Sequence, residues 1–157
     1  MKKILFAASE AVPFMKAGGL ADVTGSLPKY FDKKNYDVRV ILPKYVCMEE
    51  RWKGQLHFLC HFYVNLSWRK QYVGIFETTY DGITYYLVDN EFYFAGNAPY
   101  NNIYEDVEKF AFFSKAVLEA LPYLDFCPDI IHCHDWQTGL LPVFLRTLYG
   151  DEEYYTG

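Results

Sequence analysis

The chain has 157 residues, 52% of them hydrophobic and 22% charged, with a formal net charge of -5. That length suits one domain, the apolar share excludes a disordered chain, and the acidic balance argues against a nucleic-acid binder, which carries a basic footprint. Aromatic residues reach 20%, with 15 Tyr and 13 Phe; such rings serve core packing first and sugar stacking second.

Met1-Lys2-Lys3 runs directly into a short apolar stretch that stops at Ser9-Glu10, too short for the core of a secretory leader. No run approaches the ~20 apolar residues that span a bilayer. The four cysteines, Cys47, Cys60, Cys127 and Cys133, form no C-x-x-C pair. The expectation is a cytoplasmic chain with reduced thiols and no membrane partner.

Residues 2–8 are apolar on both faces and predict a buried, parallel strand. A loop follows to Gly19. Leu20, Val23, Leu27, Tyr30 and Phe31 then recur at helical spacing. Residues 37–42 predict a second strand, closed by Pro43, which completes a βαβ unit. Residues 58–66 and 71–79 read as strands. Asp81-Gly82 separates the latter from residues 83–88 and predicts a type I′ hairpin. An antiparallel element therefore interrupts the parallel pattern.

Residues 90–102 are irregular. Phe110, Phe113, Val117, Leu121 and Leu124 then keep to one helical face. Asn101 or Asn102 can cap that helix, and Glu105, Asp106 and Glu108 load its first turns with favourable negative charge. Residues 129–133 predict a short strand. A last helix is expected over residues 138–149, capped by Thr138, with Pro142 tolerated near its start and Gly150 stopping it. An α/β fold would next supply another strand, so the expectation is a single truncated domain over residues 1–157.

Three positions carry candidate chemistry. Lys16-Ala17-Gly18-Gly19-Leu20-Ala21-Asp22-Val23 joins the first strand to the first helix. Ligands bind at the carboxyl ends of strands in open α/β sheets. Paired glycines permit close approach and positive φ, and a helix N-terminus with a neighbouring ammonium suits a diphosphate. A plain tight turn is the competing reading. Asp22 would repel a phosphate; a sugar hydroxyl or a loop cap suits it better.

His132-Cys133-His134-Asp135-Trp136-Gln137-Thr138-Gly139 lies at another strand's carboxyl end. Two imidazoles are too few for a closed zinc site. A Cys133 nucleophile with a neighbouring His as base is a further option. A polar sugar site uses His134, Asp135 and Gln137 as hydrogen-bonding groups, and a helix-capping network is compatible with it. Asp106 lies four residues before Phe110 and shares the long helix's inner face at its N-terminal end; ordinary first-turn charge is the alternative.

The order of these blocks carries a resemblance. Lys3 to Phe14 followed by Lys16 to Val23 resembles the opening of bacterial glycogen synthases and plant starch synthases, glycosyltransferase family five. Leu87-Val88-Asp89-Asn90, Phe110 to Ala116 and His132 to Leu140 are similar to later blocks of that family in the same order. The resemblance implies a Rossmann-like N-terminal domain of a GT-B fold, mainly parallel with an antiparallel hairpin insertion. It implies transfer of glucose from ADP-glucose to the non-reducing end of an α-1,4-glucan such as glycogen, with retention and with neither metal nor cofactor. A C-terminal nucleotide-binding domain would be a further part of such a protein, and the fragment alone would be inactive. Lys16 matches the lysine that contacts the donor phosphates, Gly18 and Gly19 the backbone donors beside it, and Asp106 a carboxylate important for activity. The sequence departs from the pattern at Gln137, where His reaches the donor glucose, and at Lys109, where Arg is usual. Another GT-B nucleotide-sugar transferase and a non-catalytic glucan-binding module are the alternatives.

Overall fold

The apolar runs fold into one six-stranded sheet flanked by helices. The computed structural model describes residues 1–156. Strands β1 (Lys2–Ala7), β2 (Tyr36–Pro43), β3 (His57–Leu66), β4 (Arg69–Tyr80), β5 (Ile83–Asp89) and β6 (Ile130–Cys133) lie in the order β3-β4-β5-β2-β1-β6. Strands β5, β2, β1 and β6 are mutually parallel, while β3, β4 and β5 form an antiparallel meander. Leu5, Val40, Ile41, Leu42, Leu87 and Val88 are fully buried, as continuous apolar runs in a sheet covered on both faces require. The mixed sheet with its antiparallel insertion is the one the sequence pattern implies.

Asp81 and Gly82 both take positive φ, +51° and +74°, as a type I′ turn demands. A second two-residue turn, Ser67-Trp68, joins β3 to β4 and has no glycine to announce it. Helix α2 (Glu50–Lys53) was also silent in the pattern.

Helix α1 (Gly19–Ser26) is shorter than expected and continues as a 3₁₀ turn from Leu27 to Tyr30. Its buried face is also different. Ala21, Thr24, Gly25 and Pro28 point inward, whereas Val23, Leu27 and Tyr30 are exposed. Close approach explains the inversion. Thr24 donates to the Glu10 carbonyl at 2.6 Å, and a Cβ on Gly25 would collide with Val12. Small residues win the interface because the helix lies directly on the loop after β1.

Helix α3 (Ile103–Ala120) buries the expected stripe, Phe110, Phe113 and Val117, and Leu121 and Leu124 just beyond it are buried too. Asn102 caps it, accepting from the amides of Tyr104 and Glu105. Helix α4 (Leu140–Thr147) starts later than expected, and Thr138 does not cap it. Residues Trp136–Thr138 form a 3₁₀ turn instead, and the Thr138 hydroxyl donates back to the His134 carbonyl at 2.9 Å. Phe31 of the α1 segment packs on Phe6 of β1, while α3 and α4 pack together on the other face.

Candidate active site

Parallel strands align their carboxyl ends, so the loops after β1, β5 and β6 share one edge of the sheet. The glycine bend leaves β1, residues 90–102 leave β5, and residues 134–139 leave β6. Lys16, Gly18, Gly19, Asp22, Asp106, His134 and Gln137 therefore lie on this edge or at the helix starts behind it.

A hydrogen-bonded and aromatic chain joins the three loops. The Ser9 and Tyr100 hydroxyls lie 2.7 Å apart, and Tyr45 donates to the Ser9 carbonyl at 2.7 Å. The Tyr100 ring packs on Phe110, with centroids 5.9 Å apart, and Phe110 meets Trp136 edge-on at 5.6 Å. Burial, with the nearby carboxylates of Glu10 and Asp135, pushes the Tyr100 phenol up to about 12. Tyr100 thus stays a neutral phenol.

Glu10, missed in the sequence, shapes the glycine bend. Its carboxylate is buried and accepts from the amides of Ala17 at 2.8 Å and Gly18 at 3.1 Å. The Gly18 N–H is consequently occupied. Neither Gly18 nor Gly19 has positive φ, contrary to the expectation for the pair. A Cβ at Gly19 would meet nothing within 4 Å, so the packing of the chain itself does not require glycine there and the bend faces open space. Gly19 opens α1, so its first turn points at open space with the positive end of the helix dipole.

Lys16 and Asp22 face each other across this bend. The ammonium bonds both carboxylate oxygens at 2.7 Å, and both side chains are more than half exposed. Asp22 caps nothing.

Asp106 is differently placed. It is buried, accepts from the Asn101 amide at 3.1 Å and pairs with Lys109 at 2.9 Å. The Lys109 ammonium also donates to the Pro99 carbonyl at 2.9 Å. One point charge thereby serves two acceptors, and the clasp ties the loop after β5 to α3. Asp106 touches neither Lys16 nor Gln137.

The β6 loop divides its residues between two faces. His132 and His134 pack on Phe6, with ring nitrogens 2.8 Å apart. Cys133 faces the other way, toward Leu141 and Leu145 of α4. A Cys–His dyad is therefore not assembled, and burial raises the Cys133 thiol further from thiolate. Burial, then the neighbouring His132, lowers His134 to about 4. Its ring is neutral at pH 7. No group of three or more potential metal ligands occurs among the described residues.

Asp135 has φ +59° and ψ -176°, a region that costs a non-glycine residue roughly 1–3 kcal/mol. Gln137 follows, 7% exposed, and its Oε1 has no hydrogen-bond partner among the described residues. It borders a small cavity with Phe110, Trp136 and Leu140. Strain and an orphaned buried acceptor are both tolerated where a site is poised for something else.

A larger cavity of about 510 Å³ opens at the carboxyl end of β5, lined by Arg69, Phe92, Tyr93, Asn101, Glu105 and Glu108. Aromatic walls with a few converging polar groups are the usual make-up of a ligand pocket. The pattern of the sequence gave no signal for Arg69 or Tyr93.

An open α/β sheet whose glycine bend and polar loops converge on one edge is a Rossmann-like domain, a fold that carries its ligand sites at the carboxyl ends of its strands. Residues 3–157 match the family described as starch synthase catalytic domain. The chain is 66% identical over its whole length to a glycogen synthase of Lachnoclostridium phytofermentans, of which it covers 33%. It is 60% identical to one of Lachnospira eligens, again covering 33%. Starch synthase IV from Arabidopsis thaliana, solved bound to ADP and acarbose, superposes over 95% of this chain and 31% of its own, with a TM-score of 0.81 at 30% identity. The chain belongs to the starch synthase catalytic domain family, with the Rossmann-like topology of a GT-B enzyme. It spans about a third of the length of the curated relatives it matches.

Proposed function

We propose that this chain is the acceptor-side part of a glycogen synthase that transfers glucose from ADP-glucose to an α-1,4-glucan. One observation carries the reading: an exposed Lys16 ammonium stands at the open N-terminus of α1, on the same sheet edge as the unsatisfied amide oxygen of Gln137. The donor diphosphate displaces Asp22 from Lys16 and takes the free amides of the first turn of α1. Both contacts strengthen as negative charge develops on the leaving phosphate, and that is the charge a transferase must stabilise. The Arabidopsis starch synthase was solved with ADP, which supports an adenine donor.

Gln137 is buried beside Trp136 and offers the glucose an amide in place of an imidazole. His134, neutral and hydrogen-bonded to His132, positions the loop and does not shuttle protons. Asp106 acts through Lys109 and Asn101, fixing the loop that walls the larger cavity. That cavity is where the glucan enters. A metal has no part in this scheme. A cytoplasmic setting fits the substrate and the four free thiols.

The remaining two-thirds found in the relatives would close over the donor and supply further charge for the departing ADP. The test is ADP release from ADP-glucose with glycogen as acceptor. A longer protein carrying this segment releases ADP, and the 157-residue chain releases none. Silence from the longer protein would overturn the assignment. Release by the isolated chain would overturn the division of labour.

A further inference from the structure

The sheet ends on one side in a strand without the usual protection of an edge. β3 is the outermost strand and pairs only with β4. Natural edge strands are short, or carry charge or proline that discourages further pairing. β3 is ten residues long and contains no Asp, Glu, Lys, Arg, Pro or Gly. It has a bulge between Phe58 and Cys60, which leaves residues 60–66 regular.

The turns fix which backbone groups point outward. A two-residue turn closes on a hydrogen-bonded pair, here Leu66 with Arg69, so by alternation Val64 and Phe62 also face β4. The Asp81-Gly82 turn gives the same parity. It commits Tyr80, Thr78 and Phe76 to β5 and leaves Ile75 and Val73 for β3. His61, Tyr63 and Asn65 therefore turn their N–H and C=O groups away from the sheet. Lys115 takes the Asn65 carbonyl. Among the described residues nothing bonds the outer groups of His61 or Tyr63.

The side chains divide by face. Phe62 and Val64 are buried, and Phe62 stacks on Tyr123 at 4.8 Å. On the other face Tyr63 is 55% exposed. Tyr72 of β4 holds both rings there, stacked on His61 at 5.9 Å and edge-on to Tyr63 at 6.0 Å.

We propose that β3 pairs antiparallel with β3 of a second copy of this chain, about a two-fold axis at Phe62. In that register His61 of each copy lies opposite Tyr63 of the other. Each such pair exchanges both N–H···O bonds, so every free backbone group of His61 and Tyr63 is used. The same pairing sets the imidazole beside the phenol as a cross-strand pair and keeps Phe62 on the helix side of both sheets. Charge favours the antiparallel sense. Lys70 lies opposite Asn65, whose carbonyl Lys115 holds, while Glu77 lies opposite His57. Two-fold pairing brings the basic end of one copy beside the acidic end of the other, and no like charges meet along the seam. The overlap runs from Phe58 to Leu66, about 30 Å of strand. That seam is narrower than a standard interface of about 800 Å² per partner, so the association is reversible and depends on concentration.

The test is sedimentation equilibrium of the chain between about 1 μM and about 1 mM, with amide hydrogen exchange read at both limits. The average mass rises from that of a monomer to twice that value. The amides of His61 and Tyr63 exchange about tenfold more slowly at the upper limit, in proportion to the paired fraction. Tyr63→Lys places an ammonium from each copy at the seam and moves the midpoint at least about tenfold higher in concentration. Its dilute melting temperature stays that of wild type, since Tyr63 is exposed, which separates lost pairing from lost fold. Trp68→Ala, in the turn outside the overlap, leaves the midpoint unchanged. A monomer throughout would overturn the proposal, as would a Tyr63→Lys variant that associates like wild type. A dimer whose His61 and Tyr63 amides exchange at the monomer rate would place the contact elsewhere and overturn it too. A mass that climbs past twice the monomer would contradict the closed two-fold pairing. None of these outcomes touches the donor assignment, which ADP release by the longer protein decides.

Discussion

Two lysine–aspartate pairs sit on the same edge of the sheet, and they do opposite things. Lys16 and Asp22 meet at 2.7 Å with both side chains more than half exposed. Lys109 and Asp106 meet at 2.9 Å with side chains 3% and 7% exposed. Distance would rank the first pair as the stronger. Burial reverses the ranking. An exposed pair in high dielectric contributes little and exchanges freely with solvent or ligand. A buried pair cannot lose one partner without stranding the other in low dielectric. The buried pair is architecture, and the exposed pair is available for chemistry.

The comparison breaks most visibly at Asp106. Asp106→Ala strands the Lys109 ammonium and the Asn101 amide, and an equilibrium urea titration should show a loss of about 3–5 kcal/mol. Glu10→Ala comes next. It leaves the amides of Ala17 and Gly18 without their carboxylate, at a cost of about 2 kcal/mol, and amide exchange at residues 17 and 18 should accelerate with it. Asp135→Gly sharpens the picture from the other side. Relief of the strained φ should raise stability by about 1 kcal/mol, and transfer by the longer protein should fall, because the same strain aims the loop.

A pH series tests the third loop. The folded His134 takes a proton near pH 4, whereas the unfolded ring does so near 6.5. Between these values protons favour the unfolded chain, so the contribution of the neutral ring is complete above pH 6.5 and disappears as pH falls toward 4. The difference in melting temperature between wild type and His134→Asn should therefore shrink between pH 7.5 and pH 4.5. Asp22→Ala should change stability least, by under about 0.5 kcal/mol in urea.

Local signals were legible in the sequence, and tertiary ones were not. Asp81-Gly82 announced its turn because only two positive φ values close that hairpin. The stripe on α3 was legible because a long helix buried on one side must repeat. On α1 the same reasoning chose the outer face, since the helix lies so close to the loop after β1 that a Cβ on Gly25 would collide with Val12 and the Thr24 hydroxyl bonds the Glu10 carbonyl. Lys16, Gly19 and Gln137 could be proposed because they lie in loops and helix starts at the carboxyl ends of strands. Glu10 and Lys109 could not be ranked, since a carboxylate or ammonium reads as surface until its burial is known. Trp68 fell in the break between the strands expected at 58–66 and 71–79, and its exposure has no signature in the order of amino acids.

The most direct test of the division between the two pairs is Lys16→Ala in a longer protein that carries this segment, with ADP-glucose kinetics and thermal unfolding measured on the same preparation. The expected result is a fall of about 100-fold or more in kcat/KM for ADP-glucose, as for loss of a group that stabilises transition-state charge, with the melting temperature unchanged. A kcat/KM within twofold of wild type would contradict it and leave the glycine bend as a turn and nothing more.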